Sequence, residues 1–242
     1  MKKAKYLFFD IECSNGYNIC SFGYCLISEQ LKVLDKKDII INPENKFILA
    51  KKGNRPRIEL AYPEEFFYKQ DNFKAFYADL KKLLCEEGYV LLGHSVQSDL
   101  YFLKYACDRY QLPYFDMEVF DTQLIFKQAF ERDHVESLEK ILDYFNFDLN
   151  RVVFHKSCDD ALASFYVARE ICRDKDITLT ELLSQYQNCK ISSQKVVEGQ
   201  KIKEKITDAK KLLKNSWQKF SHDYNKGVQL KKRLPHFALK LP

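Results

Sequence analysis

Apolar positions recur along this chain in two rhythms, and the change between them predicts its elements. Tyr6–Glu12 is a short apolar run that suits a buried strand, and Ile19–Ile27 and Lys32–Ile41 are two further strand segments. Asn42-Pro43 stops the third. From Glu64 to Glu87 the spacing becomes helical, with Phe73, Phe76, Tyr77, Leu80, Leu83 and Leu84 in one stripe that ends at Gly88. Tyr89–Leu92 predicts a four-residue strand, and a helix is expected from about Ser98 to Tyr110. Val119–Phe120 closes a fifth strand before Asp121, Ser137–Phe145 predicts a short helix, and Asp159 to Arg173 a long one. Three early strands followed by alternating helices and strands predict an α/β protein, a mixed sheet with helices packed on it.

Composition narrows the class. The 242 residues are 46% apolar and include 19 Phe and 15 Tyr, enough core to exclude a disordered chain. No apolar run approaches the ~18–20 residues of a membrane helix. The opening MKKAKYLFFDIE meets two carboxylates too early for a signal peptide. The expectation is a cytoplasmic protein with no membrane partner. Eight cysteines without a C-x-x-C pair predict reduced core thiols rather than zinc ligands.

Charge divides the chain. Residues 1–189 hold 25 Lys+Arg against 30 Asp+Glu, a balance of −5, whereas residues 190–242 hold 14 against 4, a balance of +10. Ile202, Ile206, Ala209, Leu212, Leu213, Trp217 and Phe220 recur at helical spacing within that tail. The expected organisation is a body over residues 1–186 and a basic helical C-terminal extension over 187–242. Such a tail either faces nucleic acid or is a solvated lysine-rich helix.

Three acidic features carry the chemistry. Asp10 and Glu12 lie two apart on the first strand, so both project from one face. They either hold a hard divalent cation, which would offset their repulsion, or are solvated where the strand ends. Asp99 follows a strand–loop break in YVLLGHSVQSDLYFL and is either an inward ligand or a helix cap. In VVFHKSCDDALAS, His155 precedes a helix whose first turn holds Asp159 and Asp160; Asp159 is the candidate cap and Asp160 the inward residue. His155 is either structural or a proton acceptor near neutral pH.

Together, FFDIECSNG, LLGHSVQSDLYFL and FHKSCDDALAS, with VFDTQLI between the last two, resemble the three motifs of the DEDDh (DnaQ-like) 3′–5′ exonucleases over roughly residues 5–175. The resemblance implies a ribonuclease-H-like fold and two Mg²⁺ or Mn²⁺ ions held by Asp10, Glu12, Asp99 and Asp160. It implies that His155 is the general base, and that Glu12 also touches the terminal sugar. Cys13, Ser14 and His94 are the substrate-contact candidates it implies, and Asp121 is a strand-end or cap residue supporting the site. Phe22, Tyr101 and Phe102 are either base-stacking or core residues. The implied partner is a nucleic acid with a free 3′ end, with a polymerase, another protein or a second copy of the chain left open. The implied reaction is metal-dependent 3′–5′ hydrolysis of single-stranded DNA or RNA to nucleoside 5′-monophosphates. The alternative is a weakly catalytic exonuclease fold acting as a regulatory or interaction module. Ser98, where the family often has an aromatic, and Cys13-Ser14-Asn15-Gly16, where Thr-Thr-Gly is usual, depart from the pattern.

Overall fold

The computed structural model of the chain describes residues 4–49 and 59–199. Six strands form one mixed sheet in the order β3-β2-β1-β4-β5-β6. β1 (Ala4–Cys13), β2 (Ile19–Ser28) and β3 (Val33–Ile40) form an antiparallel meander. β4 (Val90–Gly93) adds to β1 in parallel, β5 (Glu118–Asp121) to β4 in parallel, and β6 (Lys190–Ser192) closes that edge antiparallel to β5.

The period-2 rule explains why the central strands are apolar on both faces. Leu7, Phe9 and Ile11 point into one core with Phe22, Leu91 and Val119, and Leu80, Leu100 and Leu103 cover it from α2 (Phe73–Lys81) and α3 (Gln97–Arg109). Tyr6 and Phe8 point into the other with Cys25, Ile27, Leu92 and Phe120. There α6 (Ser157–Lys175) lies across the sheet, with α4 (Thr122–Ala129), α5 (Leu138–Tyr144) and α7 (Leu179–Gln185) around it. Asp10 and Glu12 have the parity of Tyr6 and Phe8, so they face α6 at the carboxyl end of β1. In open α/β sheets, that end is where binding crevices form.

Two expectations are corrected, and three further elements appear. The single helix over 64–87 is broken into α1 (Glu64–Tyr68), α2 and a π turn over Lys82–Glu86. The break is held from outside: the Asn42 amide donates to the Asp71 carbonyl at 2.8 Å, and the Asn72 side chain caps α2 by accepting from Lys74 N. The boundary at 187 falls inside the fold, because Lys190–Ser192 pairs with β5 and Ser193 Oγ accepts from Met117 N. The charge change at that point reflects composition, not a domain edge. Finally, α4, α7 and β6 escape the periodicity reading, being three to eight residues long.

The chain divides into compact units of residues 1–196 and 197–242. The apolar stripe from Ile202 to Phe220 lies outside the described residues. All eight cysteines are free, and seven are buried. Among the described residues, no helix is long and apolar enough to cross a membrane.

Candidate active site

Three segments converge at the carboxyl end of β1. The strand brings Asp10 and Glu12, α3 brings Asp99, and the start of α6 brings Asp160 with His155 just ahead of it. Glu12, His155 and Asp160 offer ligand atoms that all lie within 4.8 Å of one another. His155 Nδ1 stands 3.4 Å from Glu12 Oε1. Asp99 does not cap its helix: Val96 holds the cap position without a side-chain bond, and the Asp99 carboxylate instead accepts from the backbone N–H of Ile11. It thereby meets β1 between Asp10 and Glu12.

The electrostatics are those of a crowded anionic cluster. Burial, and then the neighbouring Asp99, Glu12, Asp160 and Asp38, push the Asp10 carboxyl well above its ordinary range. Asp99 is raised by burial and then by Glu12 and Asp121. Asp160 is pushed up to about 7, first by burial and then by Glu12. The hydrogen bond to Glu12 raises His155, against its own burial. Asp10 Oδ2 and Asp160 Oδ1 are buried with no hydrogen-bond partner. Orphaned carboxylate oxygens beside other carboxylates are costly, and a hard divalent cation with oxygen ligands is the group they fit.

Adjacent aspartates on α6 divide the work. Asp160 Oδ2 accepts from His155 N at 2.9 Å, which holds His155 in a left-handed conformation at φ 61. Asp159, expected as a cap, is not one: Lys156 is the cap residue, without a side-chain bond. Asp159 Oδ1 instead pairs with Lys36 Nζ of β3 at 2.6 Å, and its Oδ2 accepts from Val153 N at 3.2 Å.

Asp121 ends β5 and caps α4. Its carboxylate accepts from Ser95 N at 3.0 Å, Val96 N at 3.1 Å and Gln123 N at 2.9 Å, so β5 fixes both the turn into α3 and the start of α4. Gly93, just before that turn, has no room for a side chain, since a Cβ would stand 2.6 Å from Val96 Cγ1 and 2.9 Å from Phe9 O.

The candidate substrate contacts are placed differently from the expectation. Cys13 and Ser14 are buried, and Ser14 N donates to Asn18 O at 2.9 Å within the turn, so neither presents an open side chain. His94 bridges inward, Nε2 to the Glu136 carbonyl at 3.3 Å and Nδ1 to Thr122 Oγ1 at 3.1 Å. Burial lowers the His94 pKa to about 4, which leaves the ring neutral at pH 7. Phe22 is core, stacked on Phe9 at 5.6 Å, while Tyr101 lies partly open beside exposed Tyr17 at 6.3 Å.

Comparison with known proteins agrees with this geometry. The exonuclease family model RNase_T matches residues 62–168, a span that includes Asp99, Asp121, His155 and Asp160. That span, under half of the chain, is similar to the exonuclease family, in keeping with the DEDDh, DnaQ-like resemblance of the motifs. The matched span begins after β1, so the Asp10/Glu12 half of this candidate site rests on sequence and geometry. No curated protein matches the chain.

Solved structures share the fold. A full-length 3′-exonuclease superposes with a TM-score of 0.55 at 15% identity, over 72% of this chain and 85% of that one. The nuclease domain of 3′hExo, a DEDDh family member bound to rAMP, gives 0.52 at 17%, over 70% and 90%. Exonuclease X in complex with 5′-overhanging duplex DNA gives 0.50 at 11%, over 73% and 96%. The six-stranded mixed sheet with flanking helices is thus the ribonuclease-H-like exonuclease fold.

Proposed function

We propose that this exonuclease-family domain is a metal-dependent 3′–5′ exonuclease that releases nucleoside 5′-monophosphates from the 3′ end of single-stranded DNA or RNA. The observation that carries the reading is the close grouping of Glu12, Asp160 and His155 beside Asp10 and Asp99, with two carboxylate oxygens buried and unpartnered. A structural cluster would hold a cation of its own, and none of the ion pairs of the described residues joins Lys or Arg to these four carboxylates.

Asp10, Glu12, Asp99 and Asp160 are the residues that would hold two Mg²⁺ or Mn²⁺ ions. When bound, such ions lower the pKa of water and offset charge on the departing 3′-oxygen. Glu12 orients His155 through Nδ1, so that Nε2 is the atom free to accept the proton of an attacking water. Asp160 holds the backbone of the same histidine, which couples base placement to the carboxylate cluster. The polymer enters with its 3′ end at the carboxyl end of β1. That the neighbours include a nuclease domain bound to rAMP and an exonuclease bound to duplex DNA supports a nucleic-acid substrate without choosing the sugar.

The test is mononucleotide release from 3′-tagged single-stranded DNA and RNA in Mg²⁺ or Mn²⁺. Wild type is expected to act only with metal, and Asp10→Ala is expected to lose nearly all activity while remaining folded. Full activity in excess chelator would overturn the reading. Binding of the oligonucleotide without cleavage in either metal would favour a regulatory module.

A further inference from the structure

Gly23 of β2 stands in register between Asp10 of β1 and Asp38 of β3. A Cβ there would lie 2.0 Å from Cys158 N and 2.0 Å from Ser157 C, so the first turn of α6 rests directly on the sheet backbone between two carboxylates. Asp38 is outside the matched motifs. Its negative charge also raises the pKa of Asp10, a cost that a neutral residue would avoid.

The hydrogen bonds around Asp38 account for it. Ser157 Oγ donates to Asp38 Oδ1 at 2.5 Å, and the Tyr62 hydroxyl donates to Asp38 Oδ2 at 2.9 Å. Because Ser157 spends its proton on the carboxylate, Ser21 must donate to Ser157 across their 2.8 Å contact. Ser21 and Ser157 are buried, where an unmade hydrogen bond is costly. Two residues before Asp38, on the same face of β3, Lys36 ties Asp159. Next to Tyr62, Ala61 N donates to the His155 carbonyl at 3.3 Å. These bonds converge on residues 155–159, the segment that carries His155 and leads into Asp160.

We propose that Asp38 is a positioning residue for the catalytic segment. Through Ser157 and Tyr62 it clamps the start of α6 onto Gly23 and so fixes Asp160 and His155 against Asp10 and Glu12. Both Asp38 oxygens accept from hydroxyl donors, so its role in the clamp is that of an acceptor. The proposal rests on the exonuclease reading for its functional consequence, whereas its structural consequence can be read without metal.

The experiment compares wild type with Asp38→Ala, Asp38→Asn, Ser157→Ala and Tyr62→Phe in the full chain. Three readouts are used: amide hydrogen exchange without metal, Mn²⁺ affinity by direct titration, and kcat against KM. In Asp38→Ala, exchange at residues 155–160 is expected to accelerate about tenfold or more while β4 and β5 stay protected. Mn²⁺ affinity should weaken by roughly tenfold, and kcat should fall with KM little changed. Asp38→Asn keeps one acceptor oxygen but turns the other into a donor, so it should recover only part of the loss. Unchanged exchange at 155–160 and unchanged Mn²⁺ affinity in the folded variants would overturn the clamp. If Asp38→Ala does not fold, Tyr62→Phe, which removes one hydroxyl, decides by the same local exchange. If wild type binds no Mn²⁺, the exonuclease reading fails, and the exchange pattern still decides the clamp.

Discussion

The two ends of α6 both bury carboxylates, and they treat them in opposite ways. Near its last turns, Glu170 is only 4% exposed, yet it pairs with Arg169 at 2.8 Å and Arg173 at 2.7 Å. Arg169 in turn lies over the ring of Tyr166. At its first turn, Asp160 has one oxygen on a backbone amide and the other on nothing, with Glu12, Asp10 and Asp99 close by. A chain that neutralises one buried acid with two guanidinium groups can do so elsewhere. The other cluster has no Lys or Arg partner among the described residues, which is what the proposed metal site requires. The contrast within one helix therefore separates structural from chemical acids better than burial alone, which is similar at the two ends.

The strongest challenge to this contrast is removal of the base at the uncompensated end. His155→Ala is expected to lower turnover by ~10²–10⁴-fold, the usual effect of losing a general base. Direct Mn²⁺ titration should show that the metal still binds. Wild-type turnover would make His155 a structural residue, like Glu170.

At the compensated end the expected effect is on stability. Replacing both Arg169 and Arg173 by Ala leaves Glu170 buried and unpaired. This should cost on the order of 2–4 kcal/mol, less than a fully buried broken pair because Arg173 is largely solvated. Activity per folded molecule should be retained. Urea melts and the release assay check the two halves of that statement, and a large loss of activity in folded protein would join the two ends functionally.

The contrast also has a pH signature in metal-free protein. Asp160 is raised from 3.8 to about 7, so folding favours its protonated form. That contribution is present below pH 4 and is lost as pH rises through about 7. His155, also raised, acts in the same direction from its own ordinary value upward. Asp159, lowered with help from Lys36, contributes stability above its unfolded pKa and loses it on acidification. Thermal melts in chelator should therefore fall between pH 5 and pH 8, and Mn²⁺ should restore the loss at pH 8. A flat profile would mean that the first turn of α6 is already neutralised.

The smallest expected effect concerns the tail. The −5 balance of residues 1–189 repels phosphate, while the +10 of residues 190–242 attracts it. Reversing Lys231, Lys232 and Arg233 should flatten the slope of log affinity against log salt by about 0.7 for each single-strand phosphate that is no longer neutralised. An unchanged slope in folded protein would leave the extension without a role in substrate binding.

Sequence alone determined whatever depends on local periodicity. Alternation placed Asp10 and Glu12 on one face of β1, and a strand–loop–helix break placed Asp99 at the start of α3, because both follow from backbone geometry within a few residues. Tertiary structure decided what depends on partners far along the chain. The helix over 64–87 is broken where Asn42 holds the backbone of Asp71. Asp99 is no cap, because Asp121 on another strand supplies the carboxylate that holds the turn before it. Asp38 sits in a charged run of an edge strand and reads as solvated surface. Its partner Ser157 lies 119 residues away and reaches it only because Gly23 lets α6 touch the sheet. A hydrogen bond between distant segments leaves no period in the sequence, and that is why the carboxylates were legible and the clamp that positions them was not.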